Sequence, residues 1–500
     1  MYKIRQRIGF FLGPALFVAL VVMSPPEGMS VQAQRVAATA VLMAVWWITE
    51  AIPIPATSLL PVALFPTLGV LGSAEACAPY ANHLIFLFLG GFFIAIAMEK
   101  WNLHRRIALR TILLVGTSPR RIILGFMLAT AFLSMWISNT ATAMMMVPIA
   151  LAVVTQTGDF LSADKTSSID VTPGRFKFGA ALMLAIAYSA SIGGVATIIG
   201  TPPNTILVGL VEKMYGQQIG FASWMALGAP LSLIMLLFTW LYLVKIALPP
   251  EIHVLPGGRI FIGEELQRLG PISRAELRIL VVFTLVAAAW IIRGFIHFGS
   301  QMMHDATIAI IGAIALFIIP ADFKKGRFLL DWQAAAKVPW DVIILFGGGL
   351  ALANAFTVSG LAQWIGERLT LLQGVAFPVL LAMVVLLAIF LTEVTSNTAT
   401  AAMLIPIMGS IALAMKVHPF GLMIGAAIAS SYAFMLPVAT PPNAVVFGSR
   451  YITIPQMARV GFVLNIVSTI LITLLILWLL PLLWGIDLQH LPEWIEPLKK

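Results

Sequence analysis

Three stretches of this 500-residue chain run uncharged for longer than one membrane helix needs and for less than two would need. They are Ile122–Gly158 with 37 residues, Phe178–Val211 with 34 and Val417–Ser449 with 33. A fourth stretch, 369–415, is interrupted only by Glu393. About 20 apolar residues cross the hydrocarbon core of a bilayer. All four stretches carry polar or helix-breaking residues near their middle. Backbone that leaves the helix at membrane depth is tolerated only where protein or an aqueous cavity surrounds it. These segments therefore mark the working part of a polytopic membrane protein. Nine further runs read as single spans: 8–25, 36–50, 52–70, 83–99, 223–245, 278–297, 305–320, 341–358 and 458–482. Only 10% of the residues are charged, against roughly 25% in soluble domains. That excludes a soluble enzyme, a secreted disulfide scaffold and a disordered interaction protein.

The charges that remain orient the chain. With a cytoplasmic N-terminus and with 122–158 and 369–415 as re-entrant hairpins, 23 of the 30 Lys and Arg residues fall inside. The seven outside are Arg35, Lys213, Arg293, Arg368, Lys416, Lys499 and Lys500. A full crossing in place of either hairpin swaps the later loops and degrades this positive-inside sorting. The reading gives eleven crossings with the C-terminus outside. The net charge of +9 is thus topological and implies no nucleic-acid partner. The run from Ile8 to Pro26, behind Lys3, Arg5 and Arg7, is long enough to stay as a first helix rather than be cleaved as a signal. Cys77 stands alone, so neither a disulfide framework nor a cysteine metal site is available. No Asn-x-Ser/Thr acceptor occurs and both tails are short, which points to a bacterial inner membrane.

Self-similarity is the most specific feature. Ser138-Asn139-Thr140-Ala141-Thr142-Ala143 recurs as Ser396-Asn397-Thr398-Ala399-Thr400-Ala401, and nine of twelve positions are identical between 138–149 and 396–407. Thr201-Pro202-Pro203-Asn204 likewise recurs as Thr440-Pro441-Pro442-Asn443. Five crossings separate the two Ser-Asn-Thr hairpins. An odd number means they enter from opposite sides, as in the inverted repeats of secondary transporters, whose sites lie near the midplane at discontinuous helices. The expected organisation has five parts. Residues 1–35 form a first helix and connection. Residues 36–213 form a first repeat with hairpin 120–155 and broken helix 178–211. Residues 214–300 connect. Residues 301–449 form a second repeat with hairpin 376–415 and broken helix 420–448. Residues 450–500 hold the last helix and tail. The fold class is an all-α polytopic membrane protein of about 11 transmembrane helices plus two re-entrant hairpins.

The motifs suggest their chemistry. Ser, Asn and Thr offer groups that both donate and accept hydrogen bonds without stranding a charge in lipid. A hairpin tip also presents the unpaired N–H groups and partial positive charge of a helix start. Together these suit a carboxylate or sulfate. The double prolines remove amide donors and free carbonyls near Gly200 and Ala439 to coordinate a small hard cation such as sodium. No Lys or Arg lies within the four motifs. A bound anion must then be balanced by helix termini and co-bound cations, which is a physical reason for coupled transport. A single Ser-Asn-Thr is ordinarily interhelical hydrogen bonding; two copies, each paired with a Thr-Pro-Pro-Asn break, reverse that reading. Gly193-Gly194 and Gly347-Gly348-Gly349 read as close-packing surfaces, and Glu50, after Trp46-Trp47, as a residue at a span end. Glu393, three residues before the second motif, is either a functional carboxylate or a structural acid that orients the hairpin. The seven histidines show no metal spacing and no phosphate-binding loop is present.

These motifs, with Trp46-Trp47-Ile48-Thr49-Glu50-Ala51-Ile52-Pro53 and Thr392-Glu393-Val394-Thr395-Ser396-Asn397-Thr398, resemble the divalent-anion:sodium symporter family of dicarboxylate, citrate and sulfate transporters. The resemblance runs from the second helix onward. It implies a homodimer in which a transport domain moves past a scaffold domain, elevator fashion. It also implies two sodium ions as coupling ions and no other cofactor. The first sodium would take Ser134, Ser138, Asn139 and the carbonyl of Gly200. The second would take Thr392, Thr395, Asn397 and the carbonyl of Ala439. The anion would lie between Ser138, Asn139 and Thr140 and Ser396, Asn397 and Thr398, closed by Thr201 and by Thr440 and Pro441. Thr395 faces Ile137 in the other repeat, an asymmetry between the two sets.

The expected function is sodium-coupled symport of a four-carbon dicarboxylate such as succinate, malate or fumarate. The alternatives within the class are a sodium-independent dicarboxylate exchanger and a sulfate transporter. From other classes stand an anion channel and a membrane-embedded enzyme. An enzyme lacks support, because the spans offer Glu393 and isolated histidines in place of an acid–base or metal cluster.

Overall fold

The computed structural model describes residues 4–116, 118–163, 169–252, 258–294, 304–368 and 374–495. Lys3, Lys165, Lys499 and Lys500 of the charge count, and the last residues of the 278–297 span, lie outside these. The described chain is nearly all helix, with one two-stranded antiparallel ribbon, Pro320–Asp322 against Arg327–Phe328. This follows from the solvent: a helix pairs its own backbone groups where lipid offers none. Ten helices are long and apolar enough to cross a bilayer among the described residues.

The chain opens with α1 (Ile4–Val22) and α2 (Val31–Thr49), which pack along each other. Residues 52–70 do not form the single expected helix. Ile54–Thr57 and Leu60–Thr67 are separate short helices, because Pro53, Pro55, Pro61 and Pro66 remove four amide donors within fourteen residues. Next come α3 (His83–Lys100) and α4 (Leu103–Val115). The first hairpin pairs α5 (Pro119–Ser134) with α6 (Asn139–Ala163). Its returning arm reaches Ala163, past the expected end at 155. The boundary drawn from apolar residues marked the edge of the hydrocarbon, and the helix continues through polar Thr155–Asp159 beyond it.

The first broken helix is α7 (Lys177–Gly194) and α8 (Pro202–Tyr215), parted by residues 195–201. It leads to α9 (Phe221–Tyr242), α10 (Arg274–Arg293), α11 (Asp305–Ile318) and α12 (Trp340–Val358). A short helix α13 (Leu361–Arg368) precedes the second hairpin, α14 (Phe377–Thr392) and α15 (Asn397–Ala414). The second broken helix is α16 (Pro419–Ala429) and α17 (Pro441–Gly448), parted by 430–440, and α18 (Ile454–Trp484) follows. Both halves of the first broken helix are buried almost completely, whereas α1 exposes Phe11, Val18 and Val22 to its surroundings. The interrupted helices therefore run through the protein interior, where departures from helix can be satisfied.

Glycines set the closest approaches. A Cβ on Gly193 would overlap the backbone of Ala131, and one on Gly348 would overlap the Ser58 carbonyl. Gly193 lets α7 lie directly on α5, so the floor of the first hairpin tip depends on it. Overpacking of a filled interior costs about 1–3 kcal/mol. Gly193→Ala is therefore expected to lower the melting temperature of the purified protein, followed by tryptophan fluorescence. Gly263→Ala, which meets nothing within 4 Å, is expected to leave it unchanged. Equal melting of the two variants would show that α5 and α7 are not in contact at this glycine.

Candidate functional site

Each hairpin turns over in four residues, 135–138 and 393–396, so its returning helix starts at an asparagine deep in the protein. Ser138 and Ser396 stand just before α6 and α15, Ser396 with an extended backbone, and Ser138 Oγ accepts the N–H of Ala141 at 3.3 Å. The first-turn N–H groups of α6 and α15 are those a helix cannot pair internally. Both tips open onto one cavity of about 770 Å³. All nine residues expected to hold the anion line it: Ser138, Asn139, Thr140, Thr201, Ser396, Asn397, Thr398, Thr440 and Pro441. Gly200, Thr395 and Ala439 line it too.

Ser134 and Thr392 sit one layer behind, fully buried. Their hydroxyls bond in parallel ways. Ser134 Oγ lies 2.5 Å from Asn139 Oδ1 and 2.7 Å from the carbonyl oxygen of Ala190. Thr392 Oγ1 lies 2.7 Å from Asn397 Oδ1 and 3.0 Å from the carbonyl oxygen of Ser430. At the first tip the amide oxygen of Asn139 faces Ser134 Oγ, Ala190 O and Gly200 O, and turning the amide over would set its NH₂ against the same three at 2.5, 3.2 and 3.3 Å. Turned so, the Asn139 amide donates to oxygens of both the neighbouring helix α7 and the unwound segment, and the nest is satisfied by its own groups. A Cβ on Gly194 would come within 2.7 Å of Asn139 Oδ1, so the glycine keeps this nest open.

The unwound segments are held by the asparagines of the proline motifs. Asn204 Nδ2 donates to the carbonyls of Gly194, Val195 and Thr197 at 3.3, 3.1 and 2.7 Å. Asn443 Nδ2 donates to Ala433 O and Leu436 O, both at 3.0 Å. Gly194 and Ala433 stand the same distance before their asparagines, as do Thr197 and Leu436. Thr201 Oγ1 meets Ser431 Oγ at 3.4 Å, which joins the two breaks. These asparagines belong to the motif but were not among the expected site residues. Their duplication at matched spacing was the signal.

Glu393 is resolved by geometry. Its carboxylate accepts the backbone N–H of Phe434, Met435 and Leu436 at 2.7, 2.9 and 3.1 Å and the amide of Asn465 at 2.8 Å. It is 3% exposed and is not among the cavity lining. It therefore acts structurally, as the acceptor for an unwound strand that has no water to bond. Thr395 lines the cavity, but its hydroxyl is paired with Leu391 O at 2.9 Å and with Thr400 at 2.5 Å. The matching Thr142 hydroxyl, beside Ile137, is buried without a partner. This is the structural content of the asymmetry between the motifs. Apolar walls from Phe88, Phe92, Met144, Ile199 and Val438 complete the cavity, and Arg5, Glu50 and Asp341 stand at helix ends around its mouth.

A cavity lined by duplicated hydroxyl and amide motifs between broken helices is an arrangement characteristic of membrane transporters. The chain belongs to the sodium:sulfate symporter family of divalent-anion transporters: a family model described as the transmembrane region of sodium:sulfate symporters matches residues 6–486. It is 47% identical over 498 residues to a Staphylococcus saprophyticus protein named sodium-dependent dicarboxylate transporter SdcS, covering 98% of this chain and 95% of the relative. A Staphylococcus aureus protein of the same name is 47% identical over 492 residues, with 97% and 94% coverage. Among solved structures, the Alcanivorax borkumensis YdaH transporter superposes with a TM-score of 0.56 at 13% identity, covering 95% of this chain and 96% of that one. Neisseria gonorrhoeae MtrF, of a class of antimetabolite efflux pumps, superposes with a TM-score of 0.54 at 15% identity and covers 93% and 97%. These two likenesses speak to the fold alone. The protein is an integral membrane transporter and not an enzyme.

Removing the Glu393 carboxylate would leave three backbone N–H groups buried without an acceptor, each costing about 1–3 kcal/mol. Glu393→Ala is therefore expected to lower the melting temperature more than Asn397→Ala does. If Glu393→Ala melts like the parent protein but loses transport, the carboxylate works on substrate or ion instead.

Proposed function

We propose that this chain is a sodium-coupled symporter of a four-carbon dicarboxylate, working as a homodimer by an elevator mechanism in a bacterial plasma membrane. The observation that carries the reading is the convergence of two Ser-Asn-Thr tips on one cavity, each backed by a cluster of neutral oxygens. A cavity of about 770 Å³ has room for a small dicarboxylate with water. Helix-start N–H groups and the hydroxyls of Ser138, Thr140, Ser396 and Thr398 would bind its carboxylates. Asn139 with Ser134 and Gly200, and Asn397 with Thr392 and Ala439, would each hold one sodium ion, with Ser138 in the first set. In the second set Thr395 has its hydroxyl hydrogen committed elsewhere and would offer an oxygen only. Bound sodium supplies the countercharge that the neutral motifs lack. This makes anion affinity depend on cation occupancy, and by linkage the reverse.

The printed names of the Staphylococcus relatives, at 47% identity over nearly full length, support dicarboxylate and sodium over sulfate. The reading divides the protein into a moving part, with both hairpins and both broken helices, and a scaffold that includes α1–α3, α10–α12 and the short helices of 54–67. With the N-terminus cytoplasmic, the cavity opens inward. The contact of Arg5, on the first turn of α1, with the Val394 carbonyl at the second tip suits a moving part displaced toward that face.

Proteoliposomes loaded with potassium are expected to accumulate labelled succinate when an inward sodium gradient is imposed, and to stop when the gradient is collapsed. Asn139→Ala and Asn397→Ala are each expected to reduce this uptake to background while the protein remains monodisperse, because an oxygen ligand is lost. Uptake indifferent to sodium, with succinate counterflow intact, would overturn the coupling and leave an exchanger.

A further inference from the structure

We propose that Arg5 docks one carboxylate of the translocated anion at the mouth of the cavity, in exchange for its present partner Glu50. This rests on the dicarboxylate reading and adds to it a binding residue outside the four motifs. Arg5 is the one cation among the described residues that line the cavity, and two carboxylates, Glu50 and Asp341, share the mouth with it. An anion entering past two fixed carboxylates is repelled unless a cation offsets them.

The guanidinium is held in a way that leaves capacity. One arm, NH2, donates to Glu50 Oε2 at 3.0 Å, and NH1 reaches the Val394 carbonyl at the long distance of 3.5 Å. Its Nε is buried with no hydrogen-bond partner. A guanidinium presents five N–H groups in a planar fork suited to bidentate carboxylates, and with one bond to Glu50 and one long contact to Val394 the terminal nitrogens of this 37% exposed side chain keep N–H groups to offer. Glu50 is fixed by its backbone: it ends α2 in the left-handed conformation at φ 52°, and Gln6 Nε2 donates to its carbonyl at 3.1 Å.

An ion pair whose members are 37% and 41% exposed contributes at most about 1 kcal/mol as an anchor between α1 and α2. Anchoring alone does not call for the reach to Val394. The pair is also weak enough for an incoming carboxylate to replace Glu50. Exchange would draw the guanidinium off Val394 and free the second tip as the anion arrives.

The test is sided transport. Initial rates of succinate transport at saturating sodium are measured in right-side-out and inside-out membrane vesicles for the parent protein, Arg5→Gln, Arg5→Lys and Glu50→Gln. Arg5→Gln is expected to raise KM about 3–10-fold from the face that carries the N-terminus, a charge-assisted hydrogen bond discounted for exposure. KM from the other face and the half-saturating sodium concentration should stay within about two-fold, the scatter expected for a site not touched. Arg5→Lys should recover part of the loss, and Glu50→Gln should lower the same KM. A KM raised equally from both faces, or a fall in maximal rate alone, would overturn the docking role and leave a structural pair. If Arg5→Gln does not insert in the membrane, Glu50→Gln decides, and an unchanged or higher KM refutes the exchange. Parent vesicles that carry no succinate from either face would overturn the transport reading itself, and the role of Arg5 with it.

Discussion

Backbone that leaves the helix inside a bilayer must find its hydrogen bonds within the protein, and the rest of this structure depends on how that is done. Two segments, 195–201 and 430–440, abandon the helix at the centre of the molecule. Asn204 and Asn443 gather the carbonyls on one side of each break. Glu393, reaching from the second hairpin, gathers the N–H groups of the second. Once these groups are paired, Gly200 and Ala439 at the breaks line the cavity beside the residues of the tips. The site is thus what remains after the breaks have been stapled.

Charge is distributed by the same logic. The four motifs contain no Lys or Arg, and among the described residues that line the cavity the one cation is Arg5, on the first turn of α1. A fixed cation at the midplane would hold an anion too firmly and would be costly to carry through lipid when the site is empty. In the proposed symport, mobile sodium would avoid both difficulties, since it would arrive and leave with the substrate. Arg5 at the rim is shared between Glu50 and a hairpin carbonyl, outside the four motifs.

Much of the architecture was legible because the bilayer restricts the choices. Run length and proline placement located the broken helices 178–211 and 420–448 to within a few residues of Lys177–Tyr215 and Pro419–Gly448. The hairpin arms were located for the same reason, since Ser-Asn-Thr flanked by apolar runs has no place on a lipid-facing helix. Legibility failed where apolar content and helix content diverge. Residues 52–70 are apolar enough for a span yet carry four prolines, and α6 outruns the hydrocarbon through Thr155–Asp159. The motif residues that line the cavity were legible by duplication. The role of Glu393 was not, because its ligands are main-chain N–H groups forty residues away, which leave no trace in composition.

The sequence by itself determined that this is a nearly all-helical membrane protein, that it holds two duplicated pairs of polar motifs, and that those motifs are neutral. The reason is local: hydropathy, proline and side-chain type act within a turn or two of where they are written. Tertiary structure alone decided that the two tips share one cavity, that Ser134 and Thr392 stand behind the lining rather than on it, and that Thr395 spends its hydroxyl on Thr400. It also decided that Glu393 serves the backbone and that Arg5 meets the second hairpin 389 residues along the chain. Each of these depends on the packing of α5 on α7 and of α14 against α16, and distance in space across such packing is not written in any one stretch of sequence.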